Sequence, residues 1–496
     1  MPTTTAPVPP RVTQGRTLAL IALLLAAFMD LIDVTILNVV LPSIEKDLGA
    51  SPAQLQWMLS GYSLALALGM ITGARLGDIL GHKKVFLIGV SGFAAASALC
   101  GMAPGPDLLV AARVLQGLAA AVMIPQVLSQ IQVMYAPHER GGAMAAFSAL
   151  SGLAATVGPI LGPALLSWNL AGLGWRLVFW VNVPVGVVTV IACLRSLPES
   201  RARHAVRIDV TGVIVSTVGL MLVLYPLIAA SGRGERPVWT YPSITAGVLT
   251  LAGFWAHQRR VGARGGDPLI QVSLFRFRSV CGGLLVQLLF FIPTMGFFLV
   301  VMQFLQVGIG AGPMTAGLTI LPWSVAVAVL AGVSAAVLLP RIGRATVQIG
   351  LVLLAAGFAA IAVVAGGATA HTGWTDLIWG VLIGGAGMGM IVAPLAQLTL
   401  GDVPVGDAGS GSALFNTVTQ LAAAVGVAII GTFFFARVRG LNGVSPRAVL
   451  ADRFGDALAA SLWLATVLLA IAFAATFLLP RRPSGVAPSG GASSDD

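Results

Sequence analysis

The sequence predicts an all-α integral membrane protein of 14 transmembrane helices, arranged as two six-helix bundles with an inserted helix pair between them. Composition, the spacing of apolar runs and the placement of positive charge predict it. A soluble chain carries roughly a quarter charged residues, whereas 9% of these 496 residues are charged and 57% are hydrophobic. So few charges cannot cover a water-facing surface of this size, so the main solvent is a bilayer. A spanning helix then needs about 20 mostly apolar residues.

Apolar runs of that length occupy residues 17–40, 54–76, 84–102, 108–133, 142–166, 177–195 and 208–230 in the first half of the chain. The second half has runs at 241–258, 279–304, 314–339, 346–367, 375–400, 411–436 and 457–479. Every backbone group in a bilayer core needs an internal partner, so each run is expected to be a helix. Gly81-His82-Lys83-Lys84 after the second run is echoed by Gly343-Arg344 after the tenth, a weak internal repeat. Two repeats of six leave the seventh and eighth runs as the inserted pair. The expected organisation is a cytoplasmic tail over 1–16, one bundle over 17–200 and the pair with a cytoplasmic linker over 201–278. A second bundle over 279–480 and a disordered cytoplasmic tail over 481–496 complete it.

Of the 28 Lys and Arg, 18 fall in one set of alternating loops and tails, among them Lys83, Lys84, Arg201, Arg203, Arg207, Arg341, Arg344 and Arg481. Seven fall on the other side, and Arg75, Arg113 and Arg176 lie at helix positions. Positive charge is retained on the cytoplasmic side, which places both termini in the cytoplasm of a cell whose inner (plasma) membrane holds the chain. The loop with Arg437, Arg439, Arg447 and Arg453 runs against this bias. Trp57, Trp168, Trp175, Trp239 and Trp374 fall near the expected outer helix ends, where indoles favour the interface.

The net charge of +10 comes from short clusters between apolar runs, not from a stripe suited to nucleic acid. Cys100, Cys193 and Cys281 sit in apolar segments without ligand spacing, so neither a disulfide framework nor a metal site is implied. The first 16 residues are polar, and the first apolar run is too long for a cleavable signal.

Asp30 and Asp33 lie well inside the first apolar run. An aspartate at a helix centre costs about 2.5–3.5 kcal/mol to insert, so two of them point to a function. Three residues apart, they share one helix face and can line one cavity. Desolvation and mutual repulsion penalise the doubly ionised state, which suits groups that take up and release protons. The plainer alternative is that one of them bonds a neighbouring helix as packing glue. Arg113, in the fourth run, needs a buried partner, and a carboxylate of the first helix is the obvious one. That pair either takes part in proton exchange or is a static structural link.

Gln126 and Gln130, and likewise Asn416 and Gln420, recur at helical spacing as candidate substrate contacts, with Asn38 in the first helix. Phe298 and Met302 belong to a Phe/Met-rich ninth run whose Pro293 can break the helix. Such walls accept varied apolar ligands, although an aromatic stripe can equally face lipid. Gly158-Pro159-Ile160-Leu161-Gly162-Pro163 combines close approach with a bend, as a hinge or as ordinary tight packing.

These residues resemble the fourteen-span drug:proton antiporters of the major facilitator superfamily over nearly the whole chain. Asp33 to Pro42 is similar to the family's LDxTIVNVALP motif, a resemblance that marks Asp33 as its proton and substrate carboxylate. Leu76, Gly77, Asp78, Gly81, His82, Lys83 and Lys84 resemble the GxLaDrxGrk gate loop, with Ala74 and Ile79 departing from it. Arg113 to Ala121 resembles RxxQGxgaA, associated with proton transfer. Gly158, Pro159 and Gly162 resemble the antiporter signature, with Ala154 and Pro163 in place of two glycines. Trp175 to Gly186 resembles WRxxFxxNxPxG, Asp209 to Gly212 resembles DxxG, and Gly409 to Gln420 resembles the helix 13 pattern.

The resemblance implies the major facilitator fold and proton-coupled efflux of amphipathic small molecules such as drugs or antibiotics. The alternative cargo is an endogenous product: an antibiotic, a lipid-linked metabolite or a siderophore. Expected partners are that cargo, protons and membrane lipids, with no nucleic acid, no cofactor and a monomeric chain. Asp33, Asp30 and Arg113 are the expected proton-coupling set. Asp33, Asn38, Gln126, Gln130, Phe298, Met302, Asn416 and Gln420 are the substrate set, and Asp78, Gly81, Lys83, Gly158, Pro159 and Gly162 the gating set. An enzyme would need a nucleophile–base pair or metal cluster, and ATP-driven transport a P-loop; the sequence offers neither. The five histidines, scattered in loops or near helix ends, are expected to be solvated.

Overall fold

The computed structural model describes residues 15–135, 140–199, 209–229, 238–369, 372–403, 408–439 and 446–481. The expected tails, apart from Gly15, Arg16 and Arg481, lie outside these, as do the arginines at 201, 203 and 207. The long helices of the first half are α1 (Arg16–Leu48), α2 (Pro52–Leu80), α3 (His82–Gly101), α4 (Pro106–Met134), α5 (Arg140–Trp168), the short α6 (Leu177–Trp180), α7 (Asn182–Ser196) and α8 (Val210–Ala229). Then follow α9 (Thr240–Ala263), α10 (Arg278–Gln303), α11 (Pro313–Val333), the short α12 (Leu339–Ile342), α13 (Ala345–Gly366), α14 (Ile378–Leu400), α15 (Ala408–Phe435) and α16 (Arg447–Ala475).

The ends follow from local chemistry. Proline opens α2, α4 and α11, where its missing N–H is not needed. Ser51 and Gln54 cap α2 reciprocally, Gln54 N–H donating to Ser51 Oγ (3.3 Å) and Ser51 N–H to Gln54 Oε1 (2.8 Å). Gly81 supplies the left-handed φ of +98° that turns α2 directly into α3. Pro293 does not break its helix: α10 runs through it, and the departure comes later, as a π-helical turn over Phe304–Gly308.

Fourteen spans is a miscount against the described residues. Among them, 11 helices are long and apolar enough to cross a membrane, or 12 if Pro52–Met70 and Thr72–Leu80, bent by 46°, form one span. The described apolar stretch of α5 is the shorter Val157–Trp168. α9 opens on Thr240-Tyr241-Pro242-Ser243 and ends on His257-Gln258-Arg259-Arg260, so its polar ends cut into the apolar length. The expected two bundles of six plus a pair therefore give way to an all-α fold of 11–12 spanning helices.

Packing gathers the helices in two groups. In the first, α2 and α3 pack on α4, α1 on α5 and α7, and α3 on α7. In the second, α10 packs on α15 and α16, α13 on α14 and α16, and α11 on α14. The groups meet where α2 faces α15 and where α5 faces α11. α8 and α9 pack on each other, and α8 lies against α2 and α15, beside that seam. At the α5–α11 seam, a Cβ on Gly317 would clash with the Pro159 carbonyl, so glycine is required for the approach. Trp168, Trp239 and Trp374 are exposed, but Trp175 is buried and donates to Asp47 Oδ2 at 2.8 Å.

Candidate functional site

α1 brings Asp30 and Asp33 into the interior, with relative exposures of 6% and 1%. Arg113, on α4, is equally buried at 1%. A buried charge is costly unless paired and hydrogen-bonded, and each of these has such partners. Arg113 Nη1 donates to Asp33 Oδ2 and to Gln116 Oε1, both at 2.5 Å, and its Nε donates to the Met58 carbonyl at 3.1 Å. Asp33 Oδ1 accepts from Gln116 Nε2 (2.9 Å) and Asn182 Nδ2 (3.1 Å). Ser97 Oγ accepts from the same two amides at 2.6 and 3.2 Å and so holds them in place. Asp33 is thus clamped from α4 and α7.

Asp30 is held differently. Tyr62 Oη, on α2, donates to Asp30 Oδ1, and the Tyr62 ring lies 4.2 Å from the Arg113 guanidinium carbon. Tyr62 therefore bridges the two acids: its hydroxyl serves Asp30, and its π-face meets the cation that serves Asp33.

Between the two helix groups lies a cavity of about 970 Å³. Asp30, Tyr62 and Arg113 line it, whereas Asp33 does not. Of the expected substrate residues, Asn38, Phe298, Met302, Asn416 and Gln420 line it too. Gln126 and Gln130 do not, because their amides are engaged elsewhere. Gln126 Nε2 donates to the Gly73 carbonyl (2.8 Å) and its Oε1 lies 2.8 Å from His82 Nδ1, while Gln130 Nε2 donates to the Pro198 carbonyl at 3.4 Å. His82 is correspondingly buried rather than solvated.

The aromatic wall is built by packing. Phe298 meets Trp323 edge-on at 5.5 Å, and Trp323 is backed by Phe297 at 5.2 Å and Phe358 at 6.2 Å. Phe298 and Trp323 face the cavity, so a rigid aromatic surface stands across from the Asp30 side. The sequence reading missed Trp323 and Tyr62. Either was visible as a polar-tipped aromatic inside an apolar run, but that signal is shared by many packing residues.

The cavity extends to Arg75, Asp78, Asp267, Gln271 and Ser410. Asp78 pairs with His82 at 3.5 Å, and Lys83 Nζ donates to the Leu194 carbonyl at 3.1 Å. Arg75 donates to the carbonyls of Asp267 (3.0 Å) and Pro268, which holds the segment after α9 beside the cavity. Toward the opposite ends of the helices, Gln303 Nε2 donates to Glu45 Oε2 (3.0 Å) and Gln306 Nε2 to the Val39 carbonyl (2.7 Å), joining the two groups there. Pro159 lines the cavity, while Gly158 packs on Thr35 and Gly162 on Ile36, drawing α5 against α1.

A family model described as Major Facilitator Superfamily matches residues 23–427. The chain belongs to the major facilitator superfamily. Within it, similarity lies with drug- and antibiotic-resistance efflux transporters. A probable actinorhodin transporter of Streptomyces coelicolor is 41% identical over 435 residues, 88% of this chain and 74% of that protein. The puromycin resistance protein pur8 of Streptomyces alboniger is 32% identical over 96% of this chain and 93% of its own length. The tetracenomycin C resistance and export protein of Streptomyces glaucescens is 32% identical over 84% of this chain and 76% of its own. Among solved structures, a bacterial homologue of the human lysosomal transporter Spinster, inward-facing and unoccupied, superposes with a TM-score of 0.66. It is 18% identical and covers 94% of this chain and 97% of that one, a likeness of fold. The chain is a multi-pass membrane transporter of this superfamily, not an enzyme.

Proposed function

We propose that the chain exports an amphipathic, antibiotic-like molecule across the inner (plasma) membrane in exchange for protons, with both termini cytoplasmic and the monomer as the working unit. The observation that carries this is a carboxyl group, Asp30, facing a large cavity whose other wall is aromatic and aliphatic. An amphipathic cargo fits such a wall, with Phe298 and Met302 against its apolar part and Asn38, Asn416 and Gln420 near its polar groups. A proton arriving from outside neutralises Asp30, cargo leaves outward, and the proton is then released on the cytoplasmic side. The Asp33–Arg113 pair stands behind Tyr62 and senses the charge on Asp30 through that ring. Asp78, Gly81 and Lys83 at the α2–α3 turn, with Gly158, Pro159 and Gly162 on α5, serve as the moving joints.

The cargo in this reading is an endogenous product rather than a range of foreign drugs. Relatives named for actinorhodin, tetracenomycin C and cephamycin support that reading, because each name couples one transporter to one antibiotic. Reconstitution into proteoliposomes with an imposed pH gradient tests the coupling. Candidate aromatic antibiotics are screened for export that moves protons the other way. Gradient-driven export that persists undiminished in Asp30→Asn would sink the proton assignment. Susceptibility and secretion by a deletion strain separate drug resistance from product export.

A further inference from the structure

A second cavity, of about 280 Å³, shares no lining residue with the transport site and is lined by Arg341, Ile342, Arg344, Ala345, Gln348 and Arg481. Three arginines therefore line one small space, and among the described residues no acid lines it. Among the described residues, none of the three is paired with a carboxylate. Like charges this close repel, so the arrangement favours an anion that neutralises them.

The pocket is built, not a chance meeting of loose side chains. The Arg344 backbone N–H donates to the Arg481 carbonyl at 3.0 Å, which ties the turn before α13 to the end of the chain after α16. Arg344 Nη1 donates to the carbonyls of Phe477 (3.4 Å) and Leu479 (3.3 Å), and its guanidinium lies 5.0 Å from the Phe477 ring centre. Gln348 is fixed in turn by a 3.0 Å bond to Thr476 Oγ1. Arg344 is thereby aimed, while Arg341 and Arg481 remain exposed. Ile342, Ile349 and Phe477 beside it are exposed apolar side chains at the ends of spanning helices.

We propose that this pocket binds the phosphate of an anionic phospholipid headgroup. Guanidinium groups match phosphate oxygens in geometry and charge. The flanking apolar side chains offer a surface for acyl chains, which a soluble phosphate does not need. The turn also carries positive charge on the side that the loop bias assigns to the cytoplasm, where anionic lipid attracts basic residues.

The test uses the purified full chain, titrated with phosphatidylglycerol and with phosphatidylcholine and read by native mass spectrometry, with inorganic phosphate as competitor. The double variant Arg341→Gln/Arg481→Gln leaves Arg344 and its carbonyl bonds in place, so its melting temperature should match the parent's. Its affinity for phosphatidylglycerol should fall about thirtyfold, about fivefold for each arginine, with phosphatidylcholine unaffected. Equal affinity in parent and double variant, or no preference over phosphatidylcholine, would overturn the proposal. Displacement of the lipid by inorganic phosphate at similar concentration would overturn the lipid source and assign the pocket to free phosphate. Should the double variant fail to fold, Arg481→Gln alone, expected to lose about fivefold, carries the same comparison.

Discussion

Asp30 and Asp33 stand three residues apart on α1, yet they are held by different partners and face different surroundings. Asp33 is closed in by Arg113, Gln116 and Asn182, while Asp30 lines the cavity with Tyr62 as its donor. One acid therefore has a fixed counter-ion, and the other is placed to meet cargo and protons.

The two acids should respond differently to neutralisation. Asp33→Asn leaves Arg113 charged and buried without its carboxylate, which costs about 3–5 kcal/mol. Thermal unfolding in detergent should show it as a severe loss. Adding Arg113→Gln should recover part of that stability, because the stranded charge is gone. A double variant as unstable as the sum of the two singles would show that the pair is not coupled.

Asp30→Asn should fold with near-parental stability, since an amide can still accept from Tyr62. Its transport should lose dependence on the pH gradient while cargo binding persists. Equilibrium binding beside gradient-driven flux distinguishes the two effects.

Gln116→Leu removes a donor to Asp33 and a partner of Arg113 and Ser97 together. Leaving buried polar groups unsatisfied costs about 1–3 kcal/mol each. The same substitution at Gln130, whose bond to the Pro198 carbonyl is long at 3.4 Å, should cost less, and paired melting curves would rank them.

Phe298→Ala should weaken binding of a planar aromatic cargo about twofold to twelvefold, the worth of one aromatic contact of about 0.5–1.5 kcal/mol. A purely aliphatic amphiphile should lose less. Fluorescence titration with both cargo types checks the difference.

Asp209 caps α8: its Oδ1 accepts from the Gly212 N–H at 2.8 Å, and its Oδ2 from Gln258 at 2.7 Å, while His257 Nε2 lies 3.0 Å from Oδ1. Burial opposes its ionised form, but the His257, Gly212 and Gln258 hydrogen bonds prevail and hold its pKa below the ordinary aspartate value. A lowered carboxyl pKa contributes stability above the unfolded-state value, and that contribution is lost as pH falls through the folded-state value. Asp209→Ala should cost about 1 kcal/mol at neutral pH. The difference from the parent should shrink in acid, a trend that melting temperatures across pH would show.

Much of the site was legible from residue type alone. Charges in an apolar run stand out because the bilayer makes them costly, so Asp30, Asp33 and Arg113 are conspicuous candidates in the sequence. Polar amides stand out less, since they are tolerated both as cavity contacts and as helix glue. Asn416 and Gln420 reach the cavity, whereas Gln126 serves His82 and Gly73, and spacing on one helix does not distinguish the cases.

The sequence by itself determined the solvent, the helical class and which ionisable residues are exceptional, because transfer into hydrocarbon is a property of composition and local order. It also carried the superfamily motifs. Tertiary packing decided which acid faces the cavity, since α4 and α7 bring three donors to Asp33 from distant parts of the sequence, at separations of 80, 83 and 149 residues. Packing also gathered Arg341, Arg344 and Arg481 around one space. Hydropathy runs overcounted the spans because a window of mean polarity does not see where a helix with polar ends, such as α9, stops being apolar.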